Sequence, residues 1–174
     1  MKTCAFFGSK IGEHERYKKL LFHLVVKLIE EKKVTRFYSG GRGKFDVLSS
    51  EIVDEARRLY PYVENILALS YLPTKADNFI LPNRYTASEY LLERRVPSRY
   101  AIIETNKLMI NRADFVIVAT QYSFHGAKMA REYAEQQKKA VIDIEKIAKE
   151  LGDTEEGHCV LDAKSIEELL KSAH

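Results

Sequence analysis

The chain has 174 residues, 45% of them hydrophobic and 30% charged, and its 28 basic and 25 acidic side chains leave a formal net charge of +3. That length suits one compact domain over residues 1–174, and a basic excess this small, interleaved with acidic residues, does not by itself indicate nucleic acid. No apolar run approaches the roughly 20 residues of a membrane span, so we expect a cytoplasmic protein without a membrane partner.

The first third of the chain has the pattern strand, helix, strand, helix. A short apolar run at 3–7 stops at a Gly-Ser pair, which is typical of a buried strand that ends in a tight turn. Apolar residues then recur at helical spacing from about 13 to 32. We predict a second strand over 36–39 and a second helix over 45–59.

A third apolar strand is predicted over 65–71, and a long irregular stretch follows it. Residues 74–98 contain or adjoin three of the four prolines and show only a short helical pattern at 88–92. Long irregular connections in compact α/β domains are commonly ligand lids. This stretch is therefore a candidate lid.

The rest of the chain continues the alternation of strands and helices. We predict helices over 101–112, 126–138, 145–151 and 165–172, and strands over 114–120 and 140–144. Near-continuous apolar strands separated by helices indicate a parallel sheet covered on both faces. The predicted fold class is α/β: a three-layer, Rossmann-like domain with a parallel sheet of about five strands and helices on both faces.

Three of the predicted strands end at turns that contain glycine, at residues 8–9, 39–43 and 123–127. Because glycine lacks a Cβ, its backbone can press N–H groups against a ligand, and the N-terminus of a following helix favours negative charge. Parallel sheets bind ligands at the carboxyl ends of their strands. We therefore predict that the three turns form one crevice that holds a phosphate or a nucleotide.

Charged side chains in these turns are candidate ligands for the phosphate. Lys10 follows the first turn and could neutralise a phosphate, although exposed loop lysines are common. Arg42 and Lys44 lie inside the second turn, where a cation would serve an anion. Asp46 opens the second helix, where it either caps that helix or accepts a hydrogen bond from a ribose hydroxyl or a base.

Two further candidates lie in the helix before the fourth strand. Arg99 could grip a phosphate bidentately, or it forms a surface ion pair with Glu93 or Glu104. Asn106 is a poor helix former, which favours a role in the site. The complete predicted ligand-binding set is Gly8, Ser9, Lys10, Ser39, Gly40, Gly41, Arg42, Gly43, Asp46, Arg99, Asn106, Gly126 and Ala127.

Other residue types carry weaker signals. Tyr85, Tyr90 and Tyr122 could stack on a base, although a chain with ten tyrosines uses most of them for packing. Cys4 and Cys159 show neither metal-ligand spacing nor a paired framework, so we predict reduced structural thiols. We expect no metal and no cofactor.

Several short strings in the chain resemble the SLOG superfamily. They are CAFFGS at 4–9, YSGGRGKFD at 38–46, VPSRYAI at 96–102, Asn106 with Met109-Ile110, DFVI at 114–117 and GA at 126–127. In particular, the chain looks like the small bacterial and phage branch of that superfamily. The superfamily also includes the Lonely-guy phosphoribohydrolases and DNA-processing proteins that bind single-stranded DNA. The resemblance implies a Rossmann-like sheet and a nucleotide-derived ligand.

The resemblance also implies where a catalytic pair would lie. In the hydrolase branch this pair is an arginine and a glutamate, and the matching positions in this chain are Thr105 and Met129. Neither side chain can ionise, so hydrolysis by that mechanism is not expected, and no catalytic residue is assigned. A displaced pair at Glu104 and Glu132 is the alternative.

The favoured hypothesis is a non-catalytic sensor or regulatory domain that binds a nucleotide or a nucleotide-derived ligand in the crevice. One alternative is an N-glycosidase, similar to the phosphoribohydrolases, that uses Glu104, Glu132 or Asp46. Another is a module that binds single-stranded DNA or a protein, although nucleic acid is not the favoured partner. Dimers are the usual outcome for soluble chains, so we expect a homo-oligomer, most simply a dimer.

Overall fold

The computed structural model of the protein describes residues 1–121 and 126–151. Six strands form one sheet in the order β4-β3-β2-β1-β5-β6, and every neighbouring pair is parallel. The strands are β1 (Lys2–Gly8), β2 (Val34–Ser39), β3 (Glu64–Leu69), β4 (Ala87–Tyr90), β5 (Phe115–Ala119) and β6 (Ala140–Asp143). The helices are α1 (Lys18–Glu30), α2 (Lys44–Arg57), α3 (Ser98–Arg112), α4 (Gly126–Gln136) and α5 (Ile144–Glu150).

Helices cover both faces of the sheet, and successive strand residues point into the two cores in turn. In β1, Phe6 packs in the core beneath α1, α2 and α5, whereas Phe7 packs in the core beneath α3 and α4. In β2, Phe37 and Tyr38 divide between the two cores in the same way. Strands that are buried on both faces need apolar residues at nearly every position. The three-layer α/β prediction is therefore confirmed.

The predicted count of about five strands is wrong, because β4 is a sixth. The sequence pattern indicated a short helix at 88–92, but Ala87–Tyr90 is a parallel edge strand beside β3. Its polar composition hides it from a search for apolar strands. The Tyr38 hydroxyl donates a hydrogen bond of 2.7 Å to the Glu89 carboxylate, so this polar side chain has its partner across the sheet.

The connection between β3 and β4 has no α-helix. It contains only a 3-10 turn, Lys75–Asp77, and residues 71–80 are all exposed. The first predicted helix also differs from the pattern, since a 3-10 turn at His14–Tyr17 precedes α1. The helix predicted at 165–172 lies outside the described residues, and the lid role of 74–98 stays a prediction.

The strand order reverses direction beside β1. The chain passes from β1 to β2 and β3 on one side, and it returns to β5 and β6 on the other. The connections that leave β1 and β5 therefore diverge, which opens a crevice at the carboxyl ends of these strands. Within the described residues, no helix has the length and apolar character needed to cross a membrane.

Candidate functional site

A cavity of about 370 Å³ opens at the carboxyl ends of β1 and β2. Its walls come from the turn after β1, the glycine turn after β2, one face of α3 and the first turn of α4. The lining residues are Phe6, Phe7, Gly8, Ser9, Lys10, Ile11, Gly40, Arg42, Gly43, Asp46, Ile102, Asn106, Gly126 and Ala127. The cavity therefore lies at the position where open parallel sheets bind their ligands.

All the predicted ligand-binding residues line this cavity except Ser39, Gly41 and Arg99. Ser39 is buried, and its hydroxyl shares a hydrogen bond of 3.0 Å with the hydroxyl of Tyr85. Gly41 has a positive φ of 68°, and a Cβ there would lie 2.6 Å from the Leu67 side chain. Arg99 is exposed, and its guanidinium stacks on the adjacent Tyr100 ring at 4.7 Å.

Close packing explains two of the cavity's glycines. A Cβ on Gly8 would lie 2.3 Å from the ring of Phe45, the second residue of α2. A Cβ on Gly43 would lie 2.7 Å from the Cα of Lys10. At Gly126, by contrast, a Cβ would meet no described atom within 4 Å. Gly8 and Gly43 therefore allow the loops and α2 to approach one another, whether or not a ligand is bound.

Arg42 is the most distinctive side chain at the cavity. It is half-buried, and its Nη1 atom is buried without a hydrogen-bond partner among the described residues. Its guanidinium carbon lies 5.7 Å from the ring centroid of Tyr71. Burial lowers the pKa of Arg42, while Tyr71 and Asp46 act in the opposite direction. The turn thus holds a partly desolvated cation with an unused donor.

Asp46 is the acidic residue among the described residues that line the cavity. Its Oδ2 accepts a hydrogen bond of 3.0 Å from the backbone N–H of Arg42, just before α2 begins. Burial raises the pKa of the Asp46 carboxyl to about 6, although the Arg42 hydrogen bond and the charges of Arg42 and Lys10 oppose that rise. The carboxyl therefore fixes the turn, and its raised pKa lies well above that of an exposed aspartate. Its contact with a ribose or a base stays a prediction.

Of the described residues considered for hydrolysis, only Asp46 lines the cavity. Thr105 is buried and its hydroxyl donates to the carbonyl of Ala101 at 2.8 Å, within α3. Met129 is 46% exposed on α4. Glu104 pairs with Lys107 at 3.1 Å, and neither Glu104 nor Glu132 lines the cavity.

Several residues at the site carried no signal in the sequence. The apolar side chains of Ile11 and Ile102 line the cavity, and Tyr71 contacts Arg42. Of the tyrosines considered for base stacking, Tyr85 is buried and Tyr90 is 37% exposed on β4. The third candidate for base stacking, Tyr122, lies outside the described residues. So do Cys159, predicted as a reduced thiol, and residues 123–125 of the third glycine turn.

Comparisons with known proteins identify the fold. No protein-family model matches the chain, and no curated protein matches it. Among solved structures, it is similar to DNA processing protein A from Helicobacter pylori, which was described for its single-stranded DNA binding mode. The TM-score is 0.57 and the sequence identity is 19%, and the match covers 99% of this chain and 82% of the Helicobacter chain. It is also similar to DNA processing protein A from Streptococcus pneumoniae, with a TM-score of 0.57 and 16% identity. That match covers 99% of this chain and 56% of the Streptococcus chain.

At these identities the likeness shows a shared fold, and that fold agrees with the one implied by the SLOG resemblance. The expectation that nucleic acid is not a favoured partner is wrong, because the Helicobacter protein with this fold binds single-stranded DNA. That expectation rested on a net charge of +3 for the whole chain. Net charge averages over the entire surface, whereas nucleic-acid binding in general depends on how cations are grouped on one part of it.

Proposed function

We propose that the chain is a SLOG-type protein that binds single-stranded DNA, with one nucleotide unit in the cavity at the carboxyl ends of β1 and β2. One observation carries this proposal: the buried Nη1 atom of Arg42, which has no hydrogen-bond partner among the described residues. A buried donor without a partner costs about 1 to 3 kcal/mol. Arg42 also lines the cavity, so a turn of its side chain toward an anionic oxygen there removes that cost.

A phosphate group suits this position for two reasons. Arginine and lysine side chains are the usual protein donors to phosphate oxygens, and both Arg42 and Lys10 line the cavity. The volume of about 370 Å³ also falls within the range of about 300 to 1,000 Å³ found for small-molecule sites. The cavity is therefore of a suitable size for one nucleotide unit of a single strand, whereas a duplex does not enter a cavity of this size.

The aromatic ring beside Arg42 supports a single strand over a simple phosphate ion. Tyr71 is 48% exposed and lies against the guanidinium that would hold the phosphate. Proteins that bind single strands combine cations along the backbone with aromatic rings on which bases stack. The single-stranded DNA binding of the Helicobacter protein with the same fold supports the same ligand class.

The proposal is tested by fluorescence anisotropy with a labelled oligothymidylate. We expect binding that weakens as salt rises, and weaker binding of the matching duplex. Arg42→Gln should weaken single-strand binding by roughly 10- to 100-fold, the equivalent of a lost charge-assisted hydrogen bond. Arg58→Gln, which removes one charge beyond the other end of α2, is the matched control. Absence of binding, or equal affinity in both variants, rejects the proposal.

A free nucleotide or nucleotide-derived ligand is the second candidate, and one observation favours it. Asp46 places a carboxyl group inside the cavity beside Lys10 and Arg42. DNA binding does not require such an acceptor. The Asp46 carboxyl would, however, accept a hydrogen bond from a hydroxyl or amino group of a small ligand. Competition separates the two candidates, since a mononucleotide that displaces the oligothymidylate only at a large excess supports the strand as the ligand.

A further inference from the structure

A second hollow of about 850 Å³ adjoins the cavity, and we call it the outer groove. It runs between the segment that follows β1 and the exposed side of α2. Its lining residues are Lys10, Gly12, Glu13, His14, Glu15, Arg16, Gly41, Arg42, Gly43, Lys44, Val47, Leu48 and Glu51. Lys10, Arg42 and Gly43 line both the cavity and the outer groove.

The residues shared by the two hollows include a backbone contact, which we call the ridge. It forms where the backbone N–H of Lys44 donates to the carbonyl of Lys10 at 3.3 Å. Gly43 lies at this contact, and its backbone is so close to Lys10 that a Cβ would be 2.7 Å from the Lys10 Cα. Because Gly43 has no side chain, the two backbones can approach one another at the ridge. The cations of Lys10 and Arg42 border both of its sides.

The outer groove continues the positive charge beyond the ridge. Lys44 is exposed and lines the groove but not the cavity. Val47 adds apolar surface farther along α2, where Leu48 is buried, and Arg16 belongs to the segment that follows β1. The groove also has carboxylates at Glu13, Glu15 and Glu51. Lys10 and Lys44 therefore form the ridge contact and Arg42 lies two residues from it, whereas Glu51 lies two helical turns along α2 from Lys44.

We infer that a single polynucleotide strand crosses this ridge, with one nucleotide in the cavity and the adjoining nucleotides in the outer groove. The inference rests on the proposed function and adds the path that the neighbouring nucleotides of the strand take from the cavity. A backbone phosphate lies at the ridge between Lys10 and Arg42, and the next lies within reach of Lys44. The groove is open, so it accepts a chain that continues in both directions.

The experiment compares thymidine monophosphate with an oligothymidylate of about eight nucleotides. Both are titrated into the wild-type chain, Lys44→Gln, Glu51→Gln and Arg58→Gln. These side chains are exposed, so their exchange leaves the core intact. Arg58 follows the end of the helix that Lys44 begins, about 20 Å away, and Arg58→Gln removes the same single charge.

The expected results separate the groove from the cavity. Lys44→Gln should weaken the oligothymidylate roughly three- to tenfold at low salt and lower the salt slope by about one, because one phosphate contact is lost. Glu51→Gln should tighten the oligothymidylate. Neither substitution should change the affinity for thymidine monophosphate, and Arg58→Gln should change nothing.

Two results overturn the inference, and they differ in whether they also overturn the proposed function. If the oligothymidylate binds and Arg42→Gln weakens it, but Lys44→Gln and Glu51→Gln have no effect, the strand does not enter the outer groove and the proposed function survives. If the wild-type chain binds neither ligand, both the proposed function and this inference fail.

Discussion

The backbone N–H of Arg42 donates a hydrogen bond of 3.0 Å to Oδ2 of Asp46. This bond fixes the glycine turn, which bears the half-buried Arg42 guanidinium, against the first turn of α2. It also places a carboxyl group beside the position proposed for a phosphate. A negative carboxylate opposes a phosphate there, whereas a protonated carboxyl does not. The protonation state of Asp46 should therefore control the affinity of the site.

Affinity for single-stranded DNA should rise as the pH falls from about 7.5 to about 5. Burial raises the pKa of Asp46 to about 6, so the carboxyl gains its proton across this interval, while Arg42 and the phosphodiester keep their charges. Asp46→Asn should bind more tightly than the wild-type chain at pH ~7.5 and should lose most of the pH dependence. Anisotropy titrations at several pH values measure both effects. An unchanged pH profile in Asp46→Asn would show that another group is responsible.

The stability of the protein should depend on the same carboxyl. Its pKa is higher in the folded chain, about 6, than its ordinary value of 3.8. The stabilising contribution is therefore complete below pH ~3.8 and is lost as the pH rises through ~6. Asp46→Asn removes this dependence, so it should be more stable than the wild-type chain at pH ~7.5, by up to about 3 kcal/mol. Urea denaturation measures the difference, which should shrink at pH ~4.5. A variant that is less stable at pH ~7.5 would contradict the prediction.

Tyr71 should contribute to binding through its ring. Tyr71→Ala should weaken single-strand binding by about 1 to 3 kcal/mol, the range found when a stacked aromatic is removed. Tyr71→Phe keeps the ring and loses only the hydroxyl that donates to the carbonyl of Ser98 at 2.9 Å, so it should bind nearly as well as the wild type. Tyr62→Ala removes another exposed tyrosine ring and serves as the control. Equal losses in Tyr71→Ala and Tyr62→Ala would exclude stacking at the site.

Gly8 and Gly126 should respond differently to alanine. Because a Cβ on Gly8 would lie 2.3 Å from the Phe45 ring, Gly8→Ala should destabilise the fold by about 1 to 3 kcal/mol or more. Gly126→Ala meets no described atom within 4 Å and should retain the stability of the wild type. Thermal melts of the two variants test this contrast. Similar melting temperatures would mean that α2 can move away from β1 at little cost.

The sequence predicted well those elements that have a pattern of apolar residues within their own segment. The buried strands carry apolar residues on both faces, and α1 and α2 carry apolar stripes, so each could be recognised without its neighbours. Strand β4 could not, because its polar residue Glu89 has its partner in Tyr38, 51 positions away. Only the folded sheet brings these two residues together.

The site shows the same division. The glycine turns in the sequence predicted where the cavity forms. They did not reveal why glycine is needed at Gly8 and Gly43, because the neighbours that fill that space, Phe45 and the Lys10 backbone, are known only from the fold. The contact between Arg42 and Tyr71 joins two loops that are distant in sequence. The low net charge also concealed the local grouping of cations, because acidic residues elsewhere cancel them in the sum.

Mapping the bound strand by NMR tests the central claim most directly. Unlabelled oligothymidylate is added to ¹⁵N-labelled protein, and the backbone amide signals are followed. Binding at the cavity predicts the largest shifts at Gly8, Lys10, Arg42 and Gly43, with a weaker response in Arg42→Gln. No shifts at these amides, or shifts confined to the connection between α2 and the amino end of β3 around Leu59 and Tyr62, would contradict binding of single-stranded DNA at this cavity.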